Sequence, residues 1–176
     1  PIKRWLGEDK DIYFALSVFD AQRTRKAENA LYIRSLFIDM DGYASKKEAV
    51  QTLDEFLKST GLDAFGMPHI VASGGGVHCY WPLTEDVEIV TWKPIAENFK
   101  RLCQQEGMRI DMSVTADAAR VLRVPGTFNH KAKYKVNPDD PARPVKLLLA
   151  GDAKVDIKRF GATVRSLLKD GDLSLI

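Results

Sequence analysis

The stretch "FIDMDGY" places two carboxylates around Met40 at the end of an apolar run. In an extended chain, residues i and i+2 share a face. Asp39 and Asp41 therefore project together while Ile38 and Met40 point the other way. Two acids side by side repel each other and lose solvation as they leave water. A divalent cation between them relieves both costs, and hard oxygen ligands suit Mg²⁺ or Mn²⁺. The plainer reading is an Asp-Gly turn that carries a second aspartate by chance.

A second stretch, "SGGGVHCYWPL", ends one apolar run with three glycines and begins another with a histidine. Ser73, Gly75 and their neighbours form a bare turn whose backbone N–H groups can approach an anion closely. On the strand that follows, His78 and Tyr80 share one face, and Val77 and Cys79 share the other. An imidazole aimed past such a turn can hydrogen-bond a phosphate. The alternative is a glycine-rich hairpin with a satisfied core histidine.

The third stretch is "RIDMSVTADAARVLRVPGTFNHK". Asp111 follows an apolar residue and can add a carboxylate to the first pair. Arg120 and Arg123 sit among Val and Leu, where a guanidinium needs a partner; otherwise they are helix-surface charge. Lys131 follows a Pro-Gly loop. Asp117 reads as a local ion partner of these arginines or as a cap. Together the three stretches supply carboxylates for cations that activate an attacking oxygen, and cationic side chains for a triphosphate.

The elements that carry these residues can be read from periodicity. "DIYFALSVFD" reads as a strand and "LYIRSLFIDMD" as a buried central strand. "SKKEAVQTLDEFLKSTG" predicts a helix, with Ser45 as N-cap, Glu48 at capping-box spacing, and Val50, Leu53, Phe56 and Leu57 on one face. "HIVAS" and "VHCYWPL" form a hairpin through the glycines. "DVEIVTWKPIAENFKRLCQQEG" reads as a helix that starts or kinks at Pro94 and ends at Gly107. "TADAARVL" reads as a short helix, "VPGTFNHK" as a loop, "YKV" and "VKLLLA" as strands, and "DIKRFGATVRSLLK" as a terminal helix. Strands and helices mix without regular βαβ alternation. The fold class is α+β, an antiparallel or mixed sheet flanked by helices.

Bulk properties narrow the field. The 176 residues suit one domain, and 45% apolar content supports a core. No apolar run approaches the roughly 18 residues of a membrane span, and the charged start "PIKRWLGEDKD" lacks the apolar segment of a signal peptide. We expect no membrane partner and a cytoplasmic site of action. Cys79 and Cys103 read as reduced, buried thiols. Net charge is only +2, but residues 120–160 hold ten Lys and Arg against four Asp, which leaves the remainder at −4. Such a basic third is either a solvated surface or a surface for phosphates.

In order and context, "FIDMD", "SGGGVHCYW" and "RIDMSVTADAARVLRVPGTFNHK" resemble the archaeo-eukaryotic primase (AEP) superfamily. Its catalytic domain carries an apolar strand ending in Asp-x-Asp, a Ser-Gly…His strand, and an apolar-Asp segment followed by a basic loop. The likeness runs from about Leu31 to Lys131 and is greatest to the primase-polymerases of phages and plasmids. It implies an AEP-like, RRM-related core over 1–176, a single catalytic domain expected to be a fragment of a longer protein. It implies metal-binding and catalytic roles for Asp39, Asp41 and Asp111, and nucleotide-phosphate contacts at Ser73, Gly75, His78, Arg123 and Lys131, with Arg120 a looser transfer. The implied activity is template-directed joining of ribo- or deoxyribonucleoside triphosphates on single-stranded DNA by two-metal catalysis with Mg²⁺ or Mn²⁺. The implied partners are triphosphates, template and primer, with any helicase or helical accessory domain outside this segment. Tyr43 is placed to stack on a base; Trp81 is more simply core. Family members often carry arginines inside the Ser-Gly…His turn and a zinc-binding stem. Here the turn holds only glycines, and two isolated cysteines cannot build the stem. The competing classes are a non-catalytic single-stranded-DNA-binding replication-initiation module and a metal-dependent nuclease.

Overall fold

The computed structural model describes residues 2–131 and 141–169. In chain order the elements are α1 (Ile2–Trp5), β1 (Tyr13–Ala15), β2 (Ser17–Phe19), β3 (Ala30–Met40), α2 (Lys46–Thr60), β4 (His69–Ala72), β5 (Val77–Glu88), α3 (Ile89–Gln105), β6 (Val121–Arg123), β7 (Phe128–Asn129), β8 (Arg143–Pro144), β9 (Lys146–Leu149) and α4 (Ile157–Leu167). Five strands pair antiparallel in the order β2-β3-β5-β4-β9, and β1–β6 and β7–β8 form two small antiparallel ribbons. This is the expected α+β architecture, a sheet flanked by helices.

The apolar run of β3 becomes the spine of the sheet because both of its faces are covered. Ile33, Leu36, Phe37, Ile38 and Met40 are all buried. Leu36 lies opposite Trp81, Ile38 opposite Cys79, and Met40 opposite Val77 on β5. Trp81 meets Phe99 of α3 edge to face, and Phe99 in turn contacts Phe56 of α2 and Phe160 of α4. One aromatic residue from each of α2, α3 and α4 thus fastens the helical layer to the sheet, and each such side chain contributes roughly 2–3 kcal/mol by leaving water. Trp81 is core, and both cysteines are buried free thiols.

Local signals fix the helix ends. Ser45 Oγ accepts from the Glu48 N–H at 3.1 Å, while Glu48 reaches back to accept from the Ala44 N–H at 2.7 Å. The reciprocal cap therefore closes one residue earlier than the spacing predicts. Ala49, Leu53, Phe56 and Leu57 are the buried face of α2, with Val50 at its margin. Asp156 caps α4 by accepting from the Arg159 N–H at 2.8 Å.

Four expectations need correction or limits. "DIYFALSVFD" is not one strand: β1 pairs with β6 and β2 with β3, so the chain bends between them to serve two sheets. "DVE" extends β5 rather than opening α3, which places Pro94 inside the helix instead of at its start. "TADAARVL" is a run of turns that leads into β6. Ala116 adopts a left-handed φ of 69°, and Asp117 Oδ1 accepts from the Ala119 N–H at 2.9 Å, a local bond that competes with a helix. The proposed "YKV" strand lies outside the described residues.

Candidate active site

Pairing between β3 and β5 sets Asp39 directly opposite His78. Directly opposed residues share a face, and alternation adds Asp41 and Tyr80 to it. This face is the one turned away from Trp81 and Cys79. Its far end is covered by the β1–β6 ribbon, where the Phe14 ring lies 6.1 Å from that of Tyr80. Asp39 is mostly buried, His78 is buried, and Asp41 is exposed.

Asp111 reaches this corner by backbone pairing rather than by sequence proximity. Its N–H donates to the Asp39 carbonyl at 2.8 Å, Ile110 bridges Met40, and the Asp41 N–H donates to the Arg109 carbonyl at 3.4 Å. The segment 109–111 therefore runs along the end of β3. The charge consequence falls on Asp39. Burial, followed by the Asp111 and Asp41 carboxylates, pushes its carboxyl up to about 7, against the pull of Arg120 and Lys131. Asp111 moves the other way: the Ser113 side chain, with local backbone N–H groups, holds it below the ordinary range despite partial burial.

The three aspartates are neighbours but not a closed cage. Asp41 Oδ1 accepts from the Gly42 N–H at 2.9 Å, and Asp111 Oδ1 accepts from the Ser113 N–H at 2.9 Å and Oγ at 2.6 Å. Among the described residues, no group of three or more His, Cys, Asp or Glu side chains is assembled to hold a metal ion. The donor chemistry nevertheless fits a hard divalent cation. All three donors are carboxylate oxygens, and Asp39 is buried beside the Asp111 and Asp41 carboxylates, a desolvated negative cluster that a cation would relieve.

His78 is neutral. Burial, then Arg123 and Arg120, lower its pKa to about 4. Its Nε2 lies 3.7 Å from Asp39 Oδ1, but a neutral ring beside a carboxyl of raised pKa is not an ion pair. The Tyr80 hydroxyl lies 3.3 Å from Nδ1. When that hydroxyl donates, the ring proton sits on Nε2, on the side of Asp39.

The glycine turn is partly an internal packing device. A Cβ on Gly76 would lie 2.3 Å from the Met40 carbonyl oxygen, so the hairpin can close on β3 only without a side chain there. Gly74 has φ +92°, and a Cβ on it would collide with Asn129. Ser73 is buried, and its Oγ accepts from the Gly76 N–H at 3.1 Å. On the outer side of this turn is a cavity of about 250 Å³ lined by Asp41, Tyr43, Lys46, the three glycines and Arg143. Gly75 lies on its wall. Tyr43 accepts from the Arg109 N–H at 2.9 Å, so its hydroxyl is anchored beside that cavity.

The basic residues come from the turns after Asp111. Arg120 lies 3.6 Å from Asp117 and donates to the Ser113 carbonyl at 3.2 Å, so Asp117 is a local ion partner that also closes a turn on the Ala119 N–H; the strand β6 follows, so it caps no helix. Arg123 is buried and Lys131 exposed. The structure thus brings Arg120 and Lys131 within electrostatic range of Asp39, and Arg120 and Arg123 within range of His78.

Sequence reasoning did not find Ser113, Asn129, Arg143, Asp11 or Tyr13. Ser113 had a legible signal, since Asp-x-Ser is a common side-chain-to-backbone turn. Asn129 Nδ2 donates to the Ser73 carbonyl at 2.8 Å, and Arg143 donates to the Gly74 carbonyl at 3.0 Å. Both tie the basic segment to the glycine turn, and no local pattern announces either.

Comparison with known proteins bears on this geometry. No family model matches the chain. A replication protein of Clostridium perfringens is 30% identical over 132 residues, 73% of this chain; the chain spans about a third (32%) of that relative's length. Among solved structures, the AEP domain of the Cyanophage S-2L primase-polymerase (PrimPol) superposes with a TM-score of 0.67 at 13% identity, over 93% of this chain and 75% of the other. The polymerase domain of Mycobacterium tuberculosis ligase D, solved with DNA, gives 0.50 at 15% identity, over 93% and 61%. The fold of this chain, an antiparallel sheet with its helical layer, is that of the AEP domain of the cyanophage primase-polymerase.

Proposed function

We propose that this domain is a template-directed nucleotidyltransferase that joins nucleoside triphosphates on single-stranded DNA, as a primase-polymerase does. The observation that carries the reading is the corner at the end of β3, where Asp39 faces His78 across the sheet and the Asp111 N–H is bonded to the Asp39 carbonyl. Asp39, Asp41 and Asp111 would hold Mg²⁺ or Mn²⁺, which when bound lowers the pKa of the attacking hydroxyl and offsets charge on the leaving pyrophosphate.

The chain's own groups do the rest. Neutral His78 offers an Nε2–H to a phosphate oxygen without adding charge. Arg120, Arg123 and Lys131 supply the positive field that a glycine-only turn lacks. Ser73 holds the turn in shape through the Gly76 N–H. The cavity beside Gly75, with Lys46 and Arg143 on its wall, has room for a polar fragment such as a phosphate chain. The basic segment would also track template or primer phosphates, so template affinity should fall with salt.

The test is primer extension on a single-stranded template with labelled nucleotides and Mn²⁺. The wild type should incorporate, and the Asp39→Ala/Asp41→Ala variant should lose on the order of 10³-fold or more in rate. A wild type that binds single-stranded DNA but never incorporates would make the domain a replication-initiation module. Nucleotide release from DNA without added triphosphate would make it a nuclease.

A further inference from the structure

The N-terminal segment before β1 carries no motif, yet one of its side chains is tied into the candidate site. Asp11 Oδ2 accepts from Arg123 Nη2 at 2.8 Å and from the Tyr13 hydroxyl at 3.1 Å. Its other oxygen, Oδ1, accepts from the His130 N–H at 2.8 Å, one residue before Lys131. Arg123 Nη2 also donates to the Tyr13 hydroxyl at 2.8 Å, and its guanidinium carbon lies 4.9 Å from the centre of the Tyr13 ring.

These contacts span 112 and 119 residues of sequence and meet on one carboxylate. The strand pairing is consistent with them, since Tyr13 on β1 lies opposite Arg123 on β6. The Arg123 side chain is only 8% exposed. Its Nη2 is fully engaged by Asp11 and Tyr13, while its Nε is buried with no hydrogen-bond partner. A buried guanidinium donor left unpaired is costly, so the bonds from Nη2 to Asp11 and Tyr13 are what hold this side chain in place. Burial alone would raise the Asp11 carboxyl, but the bonds from Arg123 and the His130 N–H outweigh it, so the clamp is charged at neutral pH. The Lys131 N–H also donates to Asn129 Oδ1 at 3.1 Å, and Asn129 is bonded to Ser73, which extends the same network to the glycine turn.

We propose that Asp11 is a positioning residue for triphosphate binding: through Arg123 Nη2 and the His130 N–H it fixes both cationic arms, Arg123 and Lys131, against the phosphates. It touches no substrate itself. The inference rests on the proposed nucleotidyltransferase reading.

The test measures KM and kcat for the triphosphate by primer extension with the full chain, in wild type, Asp11→Ala, Asp11→Asn, Arg123→Ala and the Asp11→Ala/Arg123→Ala double variant. Asp11→Ala should raise KM about tenfold, the size typical of an outer-shell group, with kcat changed less than threefold. Asp11→Asn, which keeps an acceptor, should lie between it and wild type. In the Arg123→Ala background, Asp11→Ala should add less than threefold, because the group it positions is gone. Independent effects that multiply in the double variant, or a fall in kcat at unchanged KM, would overturn the proposal. So would an unchanged KM for Asp11→Ala. If Asp11→Ala does not fold, Asp11→Asn alone decides: KM within twofold of wild type overturns the proposal, and a larger rise supports it. A wild type without incorporation would instead sink the nucleotidyltransferase reading, a result distinct from all of these.

Discussion

Asp39 and His78 occupy opposed positions on two long paired strands, whereas Arg120, Arg123 and Lys131 come from a run of turns that contains only the short strands β6 and β7. On the strand side, alternation and register place the groups, and burial dominates their chemistry: one acid is pushed up to about 7 and one imidazole down to about 4. On the turn side, side-chain clamps do the placing. Asp117 meets Arg120, Asp11 meets Arg123, and Asn129 joins the loop to Ser73. Strands place two groups accurately at the cost of desolvating them. Turns instead need a side-chain partner to hold a guanidinium in place, Asp117 for Arg120 and Asp11 for Arg123, and Arg123 is itself buried.

The largest effect that sharpens this contrast is the pH dependence of Asp39 in chelator. Its folded pKa of about 7 lies above the ordinary aspartate value of 3.8, so the folded state holds the proton more tightly and stability falls as pH rises between those values. Asp39→Asn removes that penalty. Its stability advantage over wild type should grow by about 4 kcal/mol between pH 4 and pH 8 in urea titrations. A constant difference across that range would show that desolvation is not what sets the strand side apart.

Gly76→Ala attacks the strand side sterically. The added methyl meets the Met40 carbonyl at 2.3 Å, where backbone cannot yield cheaply, so we expect a loss of about 3 kcal/mol and a weakened β3–β5 register. Chemical denaturation measures the loss, and a change below 1 kcal/mol would mean that the hairpin does not close on β3 as described.

Asn129→Ala tests the turn side with a smaller effect. It removes the bond to Ser73 and leaves that carbonyl buried, at a cost of about 1–2 kcal/mol. Hydrogen exchange should then rise in residues 126–131 while β3 and β5 keep their protection. Uniform loss of protection across both halves would dissolve the distinction between them.

This difference also explains what the sequence disclosed. That Asp39 and Asp41 project together and that His78 and Tyr80 share a face was legible because period-two alternation converts spacing into geometry, and Ser45–Glu48 was legible because a cap is local. The bent "DIYFALSVFD" was not, because nothing in ten residues tells which sheet each half will join. "TADAARVL" had helical composition, but a left-handed alanine and an Asp117 side-chain bond turned it aside. The Asp11–Arg123 pair was invisible because its partners are separated by 112 residues and neither sits in a repeating pattern.

The central claim is that Asp39, Asp41 and Asp111 close on a shared cation beside His78. Its most direct test is a crystal soaked with Mn²⁺ and a triphosphate and read from the anomalous signal. We predict manganese bonded to oxygens of all three aspartates at about 2.1 Å, with the Asp111 carboxylate released from Ser113. Manganese bound elsewhere, or Asp111 still turned onto Ser113 while the other two hold the ion, would contradict the account.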